Sequence, residues 1–347
     1  MILFDLDNLA LWGLAAILGA SALVILFAGS ALAGKADRLA DETGWGEAIV
    51  GAVFLGAATS LPGIITSVAT AWNGYSELAA SNAIGGIAVQ TLFLAIADIT
   101  YRRVNLEHAA ASLSAITQAA LLMALLCIPL LAYTGPEITV LGVHPATPIL
   151  LGSYVYGLHL IGKNRSEPMW RPQMSVETQD EEVDEGESGS ASDAGAGLWL
   201  SFAGLSLITG AAGYVVSRSA MSLADRTGID EAAIGALITA VITSLPELVT
   251  TLAAIRRRAL TLAVGGIIGG NVFDTLFLAV ADIAYREGSL YHAMTDKILG
   301  GLAVAMLMTA VLILGLLRRE RSGPGGIGFE STAIVAIYAV YAAATMV

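Results

Sequence analysis

The chain has 347 residues, of which 56% are apolar and 13% charged, with a mean hydropathy of +0.74. Soluble domains carry about 25% charged residues, so this balance excludes an ordinary soluble protein and points to the bilayer. The net charge of −12 comes without a basic patch interleaved with aromatics, which excludes nucleic acid as a partner, and the single cysteine excludes an internal disulfide.

Residues 1–8 carry Asp5 and Asp7 and no basic leader region, so the first apolar stretch, 9–31, is expected to stay as a membrane helix. Four more follow at 47–71, 78–100, 109–133 and 138–161. Each is long enough to span a hydrocarbon core of about 30 Å. Cys127, inside the fourth, reads as a small buried hydrophobe. The segment 162–196 breaks the pattern: Glu177–Asp193 mixes acids, among them Asp180, Glu181, Glu182 and Asp184, with Gly and Ser, a composition unable to bury a core. It reads as an acidic, disordered cytoplasmic linker, since a calcium loop would need alternating ligands around a turn glycine. Five further stretches close the chain at 197–217, 231–255, 260–284, 293–317 and 327–347. The expected fold is all-α and polytopic, about ten transmembrane helices in halves 1–161 and 197–347.

Basic residues set the orientation. With the N-terminus outside, the inside loops hold Lys35, Arg38, Arg102, Arg103, Lys163, Arg165, Arg171, Arg256–Arg258, Arg318, Arg319 and Arg321. Only Arg218, Arg226, Arg286 and Lys297 fall outside. An odd number of spans per half then makes the halves antiparallel.

The halves are also copies. Thr59-Ser60-Leu61-Pro62-Gly63 returns as Thr243-Ser244-Leu245-Pro246-Glu247, an offset that carries position 63 to position 247. The same offset pairs Thr91–Ala95 with Thr275–Ala279 and Ala97-Asp98-Ile99 with Ala281-Asp282-Ile283, giving repeats over about 39–102 and 223–286. Inverted repeats with proline-broken polar motifs are a signature of secondary transporters, with the site near the midplane. Pro62 and Pro246 are expected to kink their helices and free backbone carbonyls to line a cavity.

Glu247 shares a helical face with Thr243 and Ser244, in the preceding turn. Asp274 lies mid-span in the next helix, behind the glycines 265, 266, 269 and 270. Intramembrane carboxylates are costly enough to mark function, and an all-oxygen set suits Ca²⁺, Na⁺ or protons. Asp98 and Asp282 stand one helical turn before Arg102 and Arg286 and read as interfacial ion pairs. Glu47 and Glu231 open their helices, where a carboxylate suits the dipole. The four histidines show no metal spacing, HExxH and Walker motifs are absent, and the chain does not read as an enzyme or a cofactor protein.

These motifs resemble those of the sodium/calcium exchangers and related cation antiporters, whose two repeats carry G-T-S-L-P-E and G-N-x-x-G-S-N type sequences. The resemblance covers nearly the whole chain and implies ten helices in two inverted halves of five. It implies exchange of Ca²⁺ for Na⁺ or H⁺ through one central site, in the cell membrane. Carried over position by position, the ligands fall on Thr59, Ser60 and Gln90, and on Thr243, Ser244, Glu247 and Asp274, with Asn271 in the second glycine motif. Several positions depart from the pattern: Gly63 replaces a glutamate, Gln90 stands opposite Asp274, Ile87 opposite Asn271, and Gly86 and Gly270 replace serines. Both carboxylates thus come from the second repeat, enough charge for one Ca²⁺ or two monovalent ions. Monovalent cation/proton antiport, a passive channel and a transport-inactive scaffold stay open as alternatives, as does the oligomeric state. Gly63→Glu is expected to strengthen Ca²⁺ binding by restoring a ligand.

Overall fold

The computed structural model describes residues 9–43, 48–101, 104–166, 170, 173, 195–323 and 327–346. The acidic stretch Glu177–Asp193, Arg102, Arg103, Arg171 and Glu47 all fall outside the described residues. The first half comprises α1 (Leu11–Val24), a π-helical turn (Ile25–Gly29), α2 (Ser30–Glu42), α3 (Ala48–Thr59), α4 (Leu61–Trp72), α5 (Ser76–Tyr101), α6 (Leu106–Ala109), α7 (Leu113–Thr134) and α8 (Ala146–Ser166). The second comprises α9 (Ala196–Thr227), α10 (Glu231–Ile234), a second π-helical turn (Gly235–Thr239) and α11 (Ala240–Thr243). It continues with α12 (Leu245–Arg256), α13 (Leu260–Asp274), α14 (Leu276–Ala284), α15 (Asp296–Arg318) and α16 (Phe329–Thr345).

The described residues contain no strand, only an isolated bridge between Val140 and Val143. Helices occupy all ten expected stretches, with shifted ends. α8 starts at Ala146 rather than near 138, because Leu141 and Gly142 form a left-handed turn with φ of 55° and 81° ahead of Pro145. α9 runs on to Thr227 and stops at Gly228, whose φ of 68° is the left-handed C-terminal cap that glycine provides. By length and apolar character, six described helices can cross a membrane, and the pair α10–α11 and α12, bent by 46°, makes seven.

Burial ranks the helices. α5 and the α13–α14 pair have 78% and 72% of their most apolar windows inside the protein, against 22% for the first helix and 28% for α9. A helix apolar all round and buried belongs at the centre of a bundle, so α5 and α13–α14 form the axis. α1–α2 and α9 turn large apolar side chains outward, Trp12, Phe27, Leu200 and Leu207 among them.

The breaks at Ser60 and Ser244 are helix ends rather than smooth kinks: Pro62 and Pro246 sit in the first turn of α4 and α12. A missing N–H costs nothing there. Each proline packs on a glycine of the opposite half's first helix. A Cβ at Gly29 would lie 2.6 Å from Pro246 Cγ, and one at Gly213 would lie 2.6 Å from the Pro62 carbonyl oxygen. Gly29 and Gly213 are themselves equivalent positions of the repeat, so the two contacts are one contact repeated.

The same symmetry corrects the expected Asp282–Arg286 pair, while Arg102, expected beside Asp98, lies outside the described residues. Asp98 accepts from the Leu106 N–H at 2.7 Å and the Gly328 N–H at 3.0 Å. Asp282 accepts from the Leu290 N–H at 3.0 Å, the His144 N–H at 2.9 Å and the Thr147 hydroxyl at 2.6 Å. In the repeat, Leu290 is the counterpart of Leu106, and Gly328 the counterpart of His144. Each buried aspartate therefore ties a turn of its own half to the start of the last helix of the other. Arg286 instead lies over the Trp72 ring, 5.2 Å from its centroid.

Gly213→Ala is expected to lower stability by about 1–3 kcal/mol, because the added methyl meets Pro62 backbone rather than a movable side chain. Gly204→Ala, with nothing within 4 Å, serves as the neutral control. Thermal unfolding of the two variants in detergent checks the difference.

Candidate functional site

The two breaks meet at the centre around a tight, largely polar pocket. Five lining residues come from the first half: Ser60, Gly63, Asn82, Gly86 and Gln90. Five come from the second: Thr243, Ser244, Glu247, Asp274 and Phe277. The site thus belongs to neither repeat alone.

Asp274 ends α13, where the helix loosens at Thr275, while its counterpart Gln90 lies inside the unbroken α5. The Ser60 hydroxyl donates to Asp274 Oδ1 at 2.7 Å, and the Gln90 amide donates to Oδ2 at 2.6 Å and more weakly to Ser244 Oγ at 3.4 Å. Both oxygens of this carboxylate are therefore held by the opposite half. Each break serine touches the other repeat's residue: Ser60 reaches Asp274, and Ser244 reaches Gln90.

Glu247 is the contrast. It is 5% exposed, and neither carboxylate oxygen has a hydrogen-bond partner. The Thr59 and Ser60 hydroxyls stand beside it but donate elsewhere. Thr59 donates to the Leu55 and Gly56 carbonyls at 3.2 and 3.1 Å, and Ser60 to Asp274. An unpartnered buried charge is strongly unfavourable. With Asp274 nearby and Gln90 Oε1 also unpartnered, the cavity offers hard oxygen ligands and two negative charges to a cation. Among the described residues, no group of three or more His, Cys, Asp or Glu side chains is arranged to hold a metal, so two carboxylates are the whole charge of the site.

Of the sequence-derived ligands, Ser60, Gln90, Thr243, Ser244, Glu247 and Asp274 line the cavity. Thr59 does not line it, although it adjoins Glu247. Asn271 does not line it either, and its amide donates to Thr91 Oγ1 at 3.0 Å, joining α13 to α5. Thr243 lines the cavity, but its hydroxyl bonds back to the Ala240 carbonyl at 3.4 Å.

Asn82 and Phe277 are lining residues to which the sequence assigned no role. Asn82 donates to the Gly63 carbonyl at 3.3 Å and Ser67 Oγ at 2.9 Å, and accepts from Thr239 at 2.7 Å. It ties α4, α5 and the second π-helical turn into one wall. Phe277 occupies the place left at Gly63: a Cβ there would lie 2.5 Å from its ring. The signal for Asn82 was its place in the Ser81-Asn82-Ala83-Ile84-Gly85-Gly86 motif, whereas Phe277 repeats Phe93 and looks like ordinary core.

The family model of the sodium/calcium exchanger protein matches residues 13–155 and 196–347. The putative antiporter CaxA of Alkalimonas amylolytica is 28% identical over 276 residues, 78% of this chain and 81% of that protein. Inner membrane protein YrbG of Escherichia coli (strain K12) is 30% identical over 131 residues, 38% of this chain and 39% of that protein. Among solved structures, the H⁺/Ca²⁺ exchanger CAX is similar with a TM-score of 0.64 at 14% identity, covering 96% of this chain and 85% of that one. The sodium-calcium exchanger NCX_Mj, soaked with 10 mM Na⁺ and zero Ca²⁺, gives 0.60 at 20% identity, covering 95% and 98%. At these identities the structures establish the fold.

The Phe277 ring stands against the expectation that Gly63→Glu alone adds a ligand. That substitution is expected to cost stability by overpacking, about 1–3 kcal/mol, without strengthening Ca²⁺ binding. Gly63→Glu combined with Phe277→Ala clears the space and is expected to tighten binding above wild type. Calorimetric titration of the single and double variants with Ca²⁺ separates the two outcomes.

Proposed function

This chain belongs to the sodium/calcium exchanger protein family, and from that membership we propose that it is a secondary active cation antiporter, exchanging Ca²⁺ for Na⁺ or H⁺ by alternating access. The observation that carries the reading is Glu247: a buried carboxylate without a partner, facing a second carboxylate whose hydrogen bonds come from the opposite half. Similarity to the putative antiporter CaxA, and to structures of an H⁺/Ca²⁺ exchanger and a sodium-calcium exchanger, supports the same class.

The coupling follows from charge. An incoming cation is drawn between Glu247 and Asp274, with Ser60, Ser244 and Gln90 Oε1 as neutral oxygen ligands. One Ca²⁺ cancels both carboxylates, and so do two Na⁺ or two protons. A site carrying two uncompensated charges is costly to enclose in a low-dielectric interior. The transporter therefore changes face when loaded and resists doing so when empty, which makes it an exchanger and not a channel. We place the site near the midplane of a ten-pass protein in the cell membrane, with the N-terminus outside, on the strength of the basic-residue bias and the inverted repeat.

Monovalent cation/proton antiport is the second reading, and Phe277 favours it. By filling the place of a third carboxylate, this ring limits the site to two charges, so one Ca²⁺ uses its full complement.

Radioactive Ca²⁺ uptake into proteoliposomes under imposed Na⁺, K⁺ or H⁺ gradients tests both. Gradient-driven uptake is expected in wild type. Glu247→Gln is expected to lower Ca²⁺ affinity by about a hundredfold or more, the roughly 3 kcal/mol involved in breaking a buried charge pair. Uptake indifferent to the counter-gradient would point to a channel. Proton-coupled movement of Na⁺ or K⁺ without Ca²⁺ uptake would establish the second reading.

A further inference from the structure

The two aspartate corners are related by the repeat but have diverged in chemistry. At the Asp282 corner, the Thr147 hydroxyl donates to Asp282 and lies 2.9 Å from the Tyr291 hydroxyl. None of these side chains has an unpartnered buried atom. At the Asp98 corner, the repeat positions equivalent to Tyr291, Thr147 and Ala146 hold Glu107, Ser331 and Glu330. The turn and helix start are the same, but two carboxyl groups have been added.

Glu107 and Glu330 are each 1% exposed, and Ser331 is fully buried. Their carboxyl groups meet side chain to side chain. Gly315 makes room for them, since a Cβ there would lie 2.5 Å from Glu330 Cγ. Apart from the contact between the two carboxyl groups, both Glu107 oxygens, Glu330 Oε2, Ser331 Oγ and Asn105 Oδ1 lack hydrogen-bond partners, five of the fifteen such atoms among the described residues. Ser331 holds the position at which Thr147, in the other corner, reaches both the aspartate and the Tyr291 hydroxyl, but its own hydroxyl is left without a partner.

Neighbouring charged and ionisable groups contact backbone. Asp98 accepts from the N–H groups of Leu106 and Gly328. His108 Nδ1 lies 2.7 Å from the Arg319 carbonyl oxygen, and the Arg319 guanidinium donates to the His108 and Gln173 carbonyls. Glu320, on the connection between α15 and α16, adds a further negative charge.

Two carboxylates in contact and out of water cannot both stay ionised with nothing between them. The fold does not require them, because tyrosine, threonine and alanine close the opposite corner. Once both are ionised, the pair offers acceptor oxygens and a net charge of −2, which match a hard divalent cation. We propose that Glu107 and Glu330 form a second cation site, separate from the central cavity, which takes a divalent cation of the Ca²⁺ class. Binding is an exchange: the carboxylic acid–carboxylate pair loses its one shared proton to solvent as both oxyanions pass to the metal.

Calorimetric titration of the full-length protein in detergent with Ca²⁺, in buffers of different ionisation enthalpy, reads both stoichiometry and proton release. Glu247→Gln with Asp274→Asn is expected to retain one bound Ca²⁺ per chain and to release about one proton. Adding Glu107→Gln and Glu330→Gln is expected to abolish that binding. Glu107→Tyr with Glu330→Ala copies the opposite corner and provides a folded control should the glutamine pair unfold. The proposal is overturned if the central-site double variant binds no Ca²⁺, or if the corner variants leave its binding unchanged. Wild type binding a single Ca²⁺ that survives the central substitutions and is lost with the corner ones would instead refute the central reading and uphold this one.

Discussion

A carboxylate held in a low-dielectric interior with nothing to bond to is the condition around which this structure is arranged. Glu247 is ionisable, buried and without a donor, while its neighbour Asp274 has every oxygen occupied by the opposite half. Isolated buried charge is expensive, so such a group persists only where the surroundings cannot collapse onto it. The helix breaks at Ser60 and Ser244 keep backbone apart at that point. The glycine contacts at Gly29 and Gly213 let the first helix of each half brace the break of the other. Asn82, with three polar partners, fixes the remaining wall.

The scaffold is symmetric and the chemistry is not. Proline on glycine, aspartate on turn, and serine on the opposite repeat all occur twice at the same offset. Charge occurs once: Glu247 faces the Gly63 position, filled by an aromatic ring, and Asp274 faces an amide. Duplication supplies two matched frames, and substitution inside them turns a two-fold arrangement into a site with a charged wall and a neutral one. The neutral wall still contributes, since Ser60 and Gln90 orient Asp274 and leave Glu247 as the carboxylate without a hydrogen-bond partner.

Much of this was legible in the sequence. The offset, the broken helices and the cavity residues Thr243, Ser244, Glu247 and Asp274 could be read from spacing, because helical periodicity and a gap-free repeat carry that information directly, while Ser60 and Gln90 came from the family resemblance. Three features could not be read that way. The aspartates near Arg102 and Arg286 looked like local ion pairs, yet Asp98 and Asp282 find partners 230 and 138 residues away. A neighbour one helical turn along is visible in a sequence, whereas a helix start from the other half is not. Phe277 looked like core because its copy, Phe93, is core, and only the three-dimensional path of α14 brings its ring against Gly63. Asn271 carries the right chemistry, but the rotation of α13 turns its amide to Thr91. Direction around a helix axis within a fully buried bundle is weakly encoded, since no polar face distinguishes one side from another.

The crosswise tie of the aspartates bears on how the protein is made. Asp98 enters the membrane early in synthesis with the Leu106 N–H within reach. Its second donor, Gly328, follows 230 residues later at the start of the last helix. Until that helix arrives, the first half holds a half-satisfied carboxylate and cannot reach its final geometry alone. Asp282 has the reverse history, since its distant partners His144 and Thr147 are already in place when it emerges. The two halves share one ancestral plan but not one biogenesis: the later half docks on a waiting partner, while the earlier half must be held open for it. A chain truncated before residue 328 would therefore leave Asp98 without its donor from the other half, a defect far from the point of truncation.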